Sequence, residues 1–98
     1  MISNLSMQAL SKALSNKRFL TKLVLDNCRI GSQGAAVLSE GIRTNETLTN
    51  LHIANCQLGE EGALDIAAVL ANKKNLLVLD MTNNKTGVNG CIAVCKAI

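Results

Sequence analysis

One apolar pattern recurs three times in this chain at a constant spacing. The copies begin at Leu20, Leu48 and Leu76, so consecutive copies are the same distance apart along the sequence. A fixed period of about 20–50 residues is typical of stacked-repeat proteins, in which each unit buries its apolar face against the next. The chain is therefore predicted to be a repeat array. The apolar positions of the central copy are Leu48, Leu51, Ile53 and Leu58.

Each repeat reads as a short strand followed by a helix. Residues 20–26 alternate around Leu23 and Leu25, which indicates a strand with one buried face. Apolar residues at helical spacing follow. Because a strand–helix–strand crossover is right-handed, the helices return to one side and the strands lie parallel. The predicted fold is α/β: a short horseshoe segment of a leucine-patterned solenoid, with three parallel strands on its concave side and four helices on its convex side.

Residues 1–98 are predicted to form a single domain, which the repeat register divides into a half repeat and three repeats. Residues 2–19 are predicted to be the helical half of a repeat. Repeats follow at 20–47 and 48–75, and an incomplete repeat occupies 76–98. The apolar stripe predicted for the first helix consists of Leu5, Ala9, Leu10, Ala13 and Leu14.

Two local predictions concern the turns between strand and helix. Ser32 is expected to cap the helix of the first full repeat, since its hydroxyl can accept a free amide of the first turn. Thr86 stands where Ile30 and Leu58 stand in the other repeats, so the core of the third repeat is expected to be looser. The paired glycines at 31 and 34, and their equivalents, are expected to be turn residues rather than a phosphate-binding loop.

Composition excludes several classes of function. The net charge is +3 without a long run of Lys or Arg, so a nucleic-acid surface is not indicated. No apolar run approaches the ~18 residues of a membrane span. The segment 1–25 is acid-poor and contains several serines, which is also typical of a mitochondrial transit peptide. The repeat register explains these residues better, because Met7 and Leu10 align with Ala35 and Leu38.

The segment Leu51-x-Ile-Ala-Asn-Cys-x-Leu-Gly-x-x-Gly-Ala63 resembles the ribonuclease-inhibitor class of leucine-rich repeats. The uniform period of the chain is similar to the arrays of NOD-like receptors and of the Ran GTPase-activating protein. The resemblance implies a protein-interaction scaffold, cut from a longer array. It also leaves open a regulator of a small GTPase, or part of an innate-immune-type sensor array.

The resemblance implies a structural role for Cys28, Cys56 and Asn84, which share one template position. In the family, this side chain turns inward and bonds backbone groups of the loop after the strand. A disulfide or metal site at the two cysteines is the alternative. Cys91 and Cys95 lie four apart on a predicted helix and could also bind a metal, but their register favours packing at small-residue positions. Four cysteines without a signal peptide favour a reducing compartment, hence the cytoplasm.

Strand alternation predicts which side chains point outward on the concave face. We expect this face to bind another protein, whose identity the sequence does not reveal. His52 lies there without a Ser, Asp or Cys placed to make it a catalytic base, so no enzyme activity, cofactor or metal site is predicted. The outward residues are Lys22, Val24, Asp26, Asn50, His52, Ala54, Val78, Asp80 and Thr82, with Asn27, Asn55 and Asn83 at the rim.

The ends of the array form a last feature. The chain begins and finishes in half repeats, without a recognisable polar cap over the apolar residues. Unpaired strand edges template pairing with other chains. Homo-oligomerisation through these ends is therefore a further prediction.

Overall fold

The structure is a computed structural model that describes residues 4–16, 20–73 and 75–97. Residues 2–3 and 17–19 of the predicted half repeat lie outside these ranges. Within them, four helices alternate with three strands. The elements are α1 (Asn4–Asn16), β1 (Lys22–Val24), α2 (Gly31–Thr44), β2 (Asn50–His52), α3 (Gly59–Leu70), β3 (Val78–Asp80) and α4 (Gly87–Ala97).

The three strands form one parallel sheet in the order β1-β2-β3. Leu23 pairs with Leu51, and Leu51 pairs with Leu79, so the register advances by one full repeat from strand to strand. The predicted α/β repeat fold, with a three-stranded parallel sheet and four helices, is confirmed. It follows from the constant period, because equal repeats place equivalent residues side by side.

Each helix packs against the next one along the chain, and a glycine sets the distance at each contact. A Cβ atom placed on Gly62 would lie 3.2 Å from the Cβ of Ala35, and one on Gly90 would lie 3.0 Å from that of Ala63. These glycines are buried inside helices, so the prediction that they are turn residues was wrong. Their missing side chains allow neighbouring helices to approach closely.

The loops from strand to helix repeat an unusual backbone conformation. In the first repeat Asn27, Arg29 and Gly31 all have positive φ, and the equivalent residues of the second and third repeats do the same. The loops of adjacent repeats are hydrogen-bonded: the Gly31 amide donates to the Cys56 carbonyl at 3.0 Å. The predicted Ser32 cap was wrong, because helix α2 already begins at Gly31 and Ser32 lies within its first turn. Helix α2 begins after Ile30 without a side-chain cap, because the neighbouring loop accepts from the first helical residue.

The core lies between the sheet and the helices and is densest in the second repeat. Leu51, Ile53 and Leu58 are fully buried there. In α1 the buried residues are Met7, Ser11 and Leu14, whereas Leu5, Ala9 and Ala13 are exposed, so the predicted stripe was wrong at those three positions. Among the described helices α1 contacts only α2, and Gly41 of α2 approaches the backbone of Ser11. That contact selects the side of α1 that is buried.

Candidate functional site

The sheet has one face that is turned away from the core, which we call the open face. It consists of the nine outward strand positions predicted from alternation, and none of them is buried. The intervening residues Leu51 and Ile53 pack in the core. The nine residues of the open face are Lys22, Val24, Asp26, Asn50, His52, Ala54, Val78, Asp80 and Thr82.

The open face is mostly polar, with one exposed valine on each of its outer strands. Val24 on β1 is 52% exposed, and Val78 on β3 is 40% exposed. His52 and Ala54, in the second repeat between them, are half-buried. Exposed valines beside polar groups give a surface on which a partner can bury apolar area and form hydrogen bonds.

Three ionisable side chains meet in the centre of this face. The Nδ1 atom of His52 lies 3.9 Å from Oδ2 of Asp80, and one donor atom each of Asp26, His52 and Asp80 lie within 4.8 Å of one another. Hydrogen bonds from the Thr82 amide and hydroxyl, reinforced by the nearby imidazole, hold the pKa of Asp80 below its usual value. Asp80 therefore remains a carboxylate throughout the neutral pH range.

An asparagine ladder forms the rim of the open face. The Asn55 side chain donates to Oδ1 of Asn27 at 2.8 Å, and the Asn83 side chain donates to Oδ1 of Asn55 at 3.3 Å. All three residues have positive φ, a conformation that asparagine tolerates better than most residues. The ladder links the three repeats and leaves amide groups exposed beside the open face.

Asn84 lies in the opposite direction, buried beneath the loops. Its Oδ1 accepts from the Cys56 amide at 2.7 Å, and its Nδ2 donates to the carbonyls of Ile53 and Met81, both at 2.8 Å. Asn84 is 2% exposed. It thus satisfies buried loop backbone of two successive repeats, which would otherwise lack partners.

Cys56 occupies the equivalent position one repeat earlier. Its Sγ donates to the Leu25 carbonyl at 2.9 Å, as Asn84 does to Ile53. Burial raises the pKa of the Cys56 thiol. Cys28 is only half-buried, and its Sγ donates to the Asp26 carbonyl within its own loop at 3.7 Å. Cys28 bonds its loop backbone as the family role implies, but it is less deeply buried than Cys56, because the described residues include no strand before β1 to cover it.

Cys91 and Cys95 are exposed on α4, which corrects the expectation that they pack at small-residue positions. The equivalents of Cys91 are Ala35 and Ala63, and each of these faces the helix glycine of the following repeat. In the part of the chain that the structure describes, no repeat follows α4. The same register position is therefore buried in α2 and α3 but accessible in α4.

Sequence reasoning did not identify the residues that fasten the helix ends to the preceding repeat. Asn45 is buried, and its side-chain nitrogen donates to the Leu14 carbonyl at 2.9 Å. One repeat later, Nζ of Lys73 donates to the carbonyls of Arg43 and Asn45. Partial burial of this ammonium, with a minor contribution from Arg43, lowers the pKa of Lys73. Positions 45 and 73 are equivalent in the repeat period, and this equivalence was the available signal. Because one position holds asparagine and the other lysine, the two residues form no recognisable pattern.

The meeting of Asp26, His52 and Asp80 was also missed, although each was placed on this face. Their register carried the signal: His52 and Asp80 are directly paired across β2 and β3. Asp26 lies one pleat further along the first repeat, where its Oδ1 accepts from the Ala54 amide at 2.7 Å. Residues so far apart in the sequence come into contact only when the strands are paired.

Comparison with known proteins gives one family. A family model described as Leucine Rich repeat matches residues 16–39 and 44–67, which cover most of the first two full repeats. Comparison with curated protein sequences finds no match. The match identifies the repeat family, whereas the ribonuclease-inhibitor-like class is a finer assignment that it does not address. Among the described residues, no helix is long and apolar enough to cross a membrane.

Proposed function

We propose that this chain, which is a leucine-rich-repeat protein, binds another protein through the open face of its sheet. Proteins built from such repeats commonly mediate protein–protein interactions. The proposal includes the finer architecture expected from the sequence: a short solenoid of the ribonuclease-inhibitor-like class, with the open face on its concave side. It assigns the chain no catalytic activity.

The observation that carries the proposal is the composition of the open face. All nine of its side chains are accessible, and they come from three adjacent strands in one register. Two exposed valines flank a polar centre, and Lys22 adds a positive charge at one edge. A partner that fits this surface contacts the two valines with apolar side chains and the surrounding polar residues with hydrogen-bonding groups.

Contacts within the chain also hold the open face in place. Leu51 and Ile53 anchor the central strand in the core, and the asparagine ladder ties the loops together. A rigid binding surface loses little conformational entropy on association. We infer that binding proceeds with little movement of the sheet.

Site-specific photo-crosslinking tests this proposal before the partner is identified. A photoreactive residue replaces Val24 or Val78 on the open face, and control variants carry it at Ala36 or Ala68, which are exposed on α2 and α3. We expect a discrete adduct from the two strand positions alone. Adducts formed only from the helix positions would place the interface on the other side of the molecule.

Charge reversal then measures the contribution of the face to affinity for the captured protein. Lys22→Glu should weaken binding, whereas Lys12→Glu on α1 makes the same charge change outside the face and should leave it unchanged. A rim charge contributes about 1 kcal/mol or less, so the expected loss is up to about fivefold. Equal losses from the two variants would refute the assignment.

The finer proposals concern location and self-association. We place the interaction in a reducing compartment such as the cytoplasm, since the four cysteines are free.

We also infer that copies associate through their ends, where Leu79, Met81 and Val94 border an apolar groove. Sedimentation velocity at rising concentration should show oligomers, and a monomer up to millimolar concentration would exclude this association.

A further inference from the structure

We propose that Asp26, His52 and Asp80 form a binding site for a divalent transition-metal cation, with Zn²⁺ as the best fit. One donor atom from each residue lies within 4.8 Å of the others, in the centre of the open face. The inference is independent of partner binding, because it depends only on the three side chains and the groups that orient them.

Each repeat contributes one ligand to the site. His52 and Asp80 end strands β2 and β3 and are paired in the parallel register. Asp26 follows β1 and is placed opposite Ala54, whose amide it binds. Three neighbouring repeats therefore present their donors on one side of the sheet, as two carboxylates and one imidazole.

Hydrogen bonds orient the two carboxylates and leave one oxygen of each for a metal. Oδ1 of Asp26 accepts from the Ala54 amide. Oδ1 of Asp80 accepts from the amide and the hydroxyl of Thr82, at 3.1 and 2.9 Å. Its Oδ2 points towards His52 Nδ1, but at 3.9 Å the two atoms are too far apart for a hydrogen bond. Ligands oriented by an outer layer of hydrogen bonds are typical of metal sites.

The distances suit an ion that draws the three groups together. Zn²⁺ binds nitrogen and carboxylate oxygen at about 2.0–2.2 Å, so two ligands of a tetrahedral ion lie about 3.4 Å apart. Because the donors lie within 4.8 Å of one another, each pair must approach by at most about 1.4 Å. Small side-chain rotations supply this movement, since all three residues are only half-buried.

The local charge also favours a cation. Two carboxylates adjoin one imidazole, and among the described residues neither carboxylate has a Lys or Arg ion-pair partner. A divalent ion balances these two negative charges. The imidazole selects against Mg²⁺ and Ca²⁺, which prefer oxygen ligands, and favours Zn²⁺. The remaining coordination positions face solvent and accept water.

The test must remove a competing site. Cys91 and Cys95 are exposed thiols one helical turn apart, and thiolates also bind zinc. The experiment therefore uses the full chain with Cys91→Ser and Cys95→Ser, without a histidine tag, titrated with ZnCl₂ at pH 7.5. His52 is the only histidine, so its imidazole signals in the NMR spectrum report on one residue. Calorimetry gives the affinity and the stoichiometry.

We expect one Zn²⁺ per chain, with a saturable shift of the His52 ring signals. His52→Gln and Asp80→Asn each remove a ligand and should weaken zinc binding by more than about tenfold. Thr82→Val removes only the hydroxyl that orients Asp80 and should weaken zinc binding about tenfold. Asp65→Asn on α3 is the matched control, because it removes the same charge away from the site and should leave affinity unchanged. Circular dichroism without zinc verifies that each variant is folded.

Three results would overturn the proposal. The first is the absence of a shift in the His52 signals up to 1 mM ZnCl₂ in the folded protein. The second is unchanged zinc affinity in folded His52→Gln and Asp80→Asn. The third is an equal loss in Asp65→Asn, which would indicate unspecific attraction by negative charge.

Discussion

The second and third repeats share one backbone register but differ in how deeply their cores are buried. Leu51 and Ile53 of the second repeat are fully buried, whereas their partners Leu79 and Met81 in the third are half-buried. The sequences at these positions are equally apolar. The difference arises because the second repeat has a neighbour on each side in the described structure and the third has one. Stability in such arrays depends on interfaces between repeats as well as on the repeats themselves.

Truncation of the paired leucines is expected to give the largest effect. Leu51→Ala should destabilise the fold by about 2–5 kcal/mol, because it leaves a cavity among buried side chains. Leu79→Ala removes the same atoms from a half-buried position and should cost about half as much. Urea unfolding followed by circular dichroism measures both. Equal losses would mean that the third repeat is as well packed as the second.

Asn84 tests whether polar contacts compensate for the weaker core of the third repeat. Asn84→Ala leaves the buried amide of Cys56 and the carbonyl of Ile53 without these hydrogen bonds, so we expect a loss of about 3 kcal/mol. Cys56→Ala, at the same position one repeat earlier, removes only weaker thiol bonds and should cost about 1 kcal/mol. The same denaturation assay compares them, and a larger loss for Cys56→Ala would reverse this ranking.

The rate of thiol labelling should also differ between the cysteines of the second and third repeats. Cys91 and Cys95 of the third repeat are exposed and should react fastest, Cys28 should follow, and Cys56 should react slowest. Burial raises the pKa of Cys56 above its ordinary value of 9.0, so less thiolate is present at any pH below that value. Mass spectrometry of maleimide-labelled peptides between pH 7 and 9 measures the rates. Rapid labelling of Cys56 in the folded protein would contradict its placement.

The same pKa shift has a consequence for stability. A thiol whose pKa is raised by folding makes its full contribution to stability at pH values below its pKa in the unfolded chain. That contribution is lost as the pH rises through the pKa of the folded chain, because the unfolded chain ionises this thiol more readily. We expect the stability difference between the parent chain and Cys56→Ala to shrink at alkaline pH.

Thr86 offers the smallest effect. It is half-buried where Ile30 of the first repeat is 2% exposed. Thr86→Ile restores the apolar residue of the pattern and should stabilise the chain by about 0.5–1 kcal/mol. A loss of stability would show that the close approach of Gly90 to the Thr86 Cβ leaves no room for the larger side chain. Thermal unfolding resolves a change of this size.

The repeat period was sufficient to predict most of the fold. A strictly constant spacing places Leu23, Leu51 and Leu79 in one row, and it predicted three parallel strands and four helices without tertiary information. The outward face followed from strand alternation, since successive side chains point to opposite sides. Both results depend on relations within or between equal repeats, which a sequence displays directly.

The sequence by itself therefore determined the architecture and which strand side chains share a face. Only the tertiary structure decided how deeply each repeat is buried and which distant polar groups meet. Leu79 and Cys91 follow the pattern, yet their exposure depends on the neighbouring repeat rather than on their own identity. Asp26, His52 and Asp80 likewise become a cluster only when three strands pair. Periodicity specifies equivalence between repeats, whereas burial and donor distances depend on what is packed against each one.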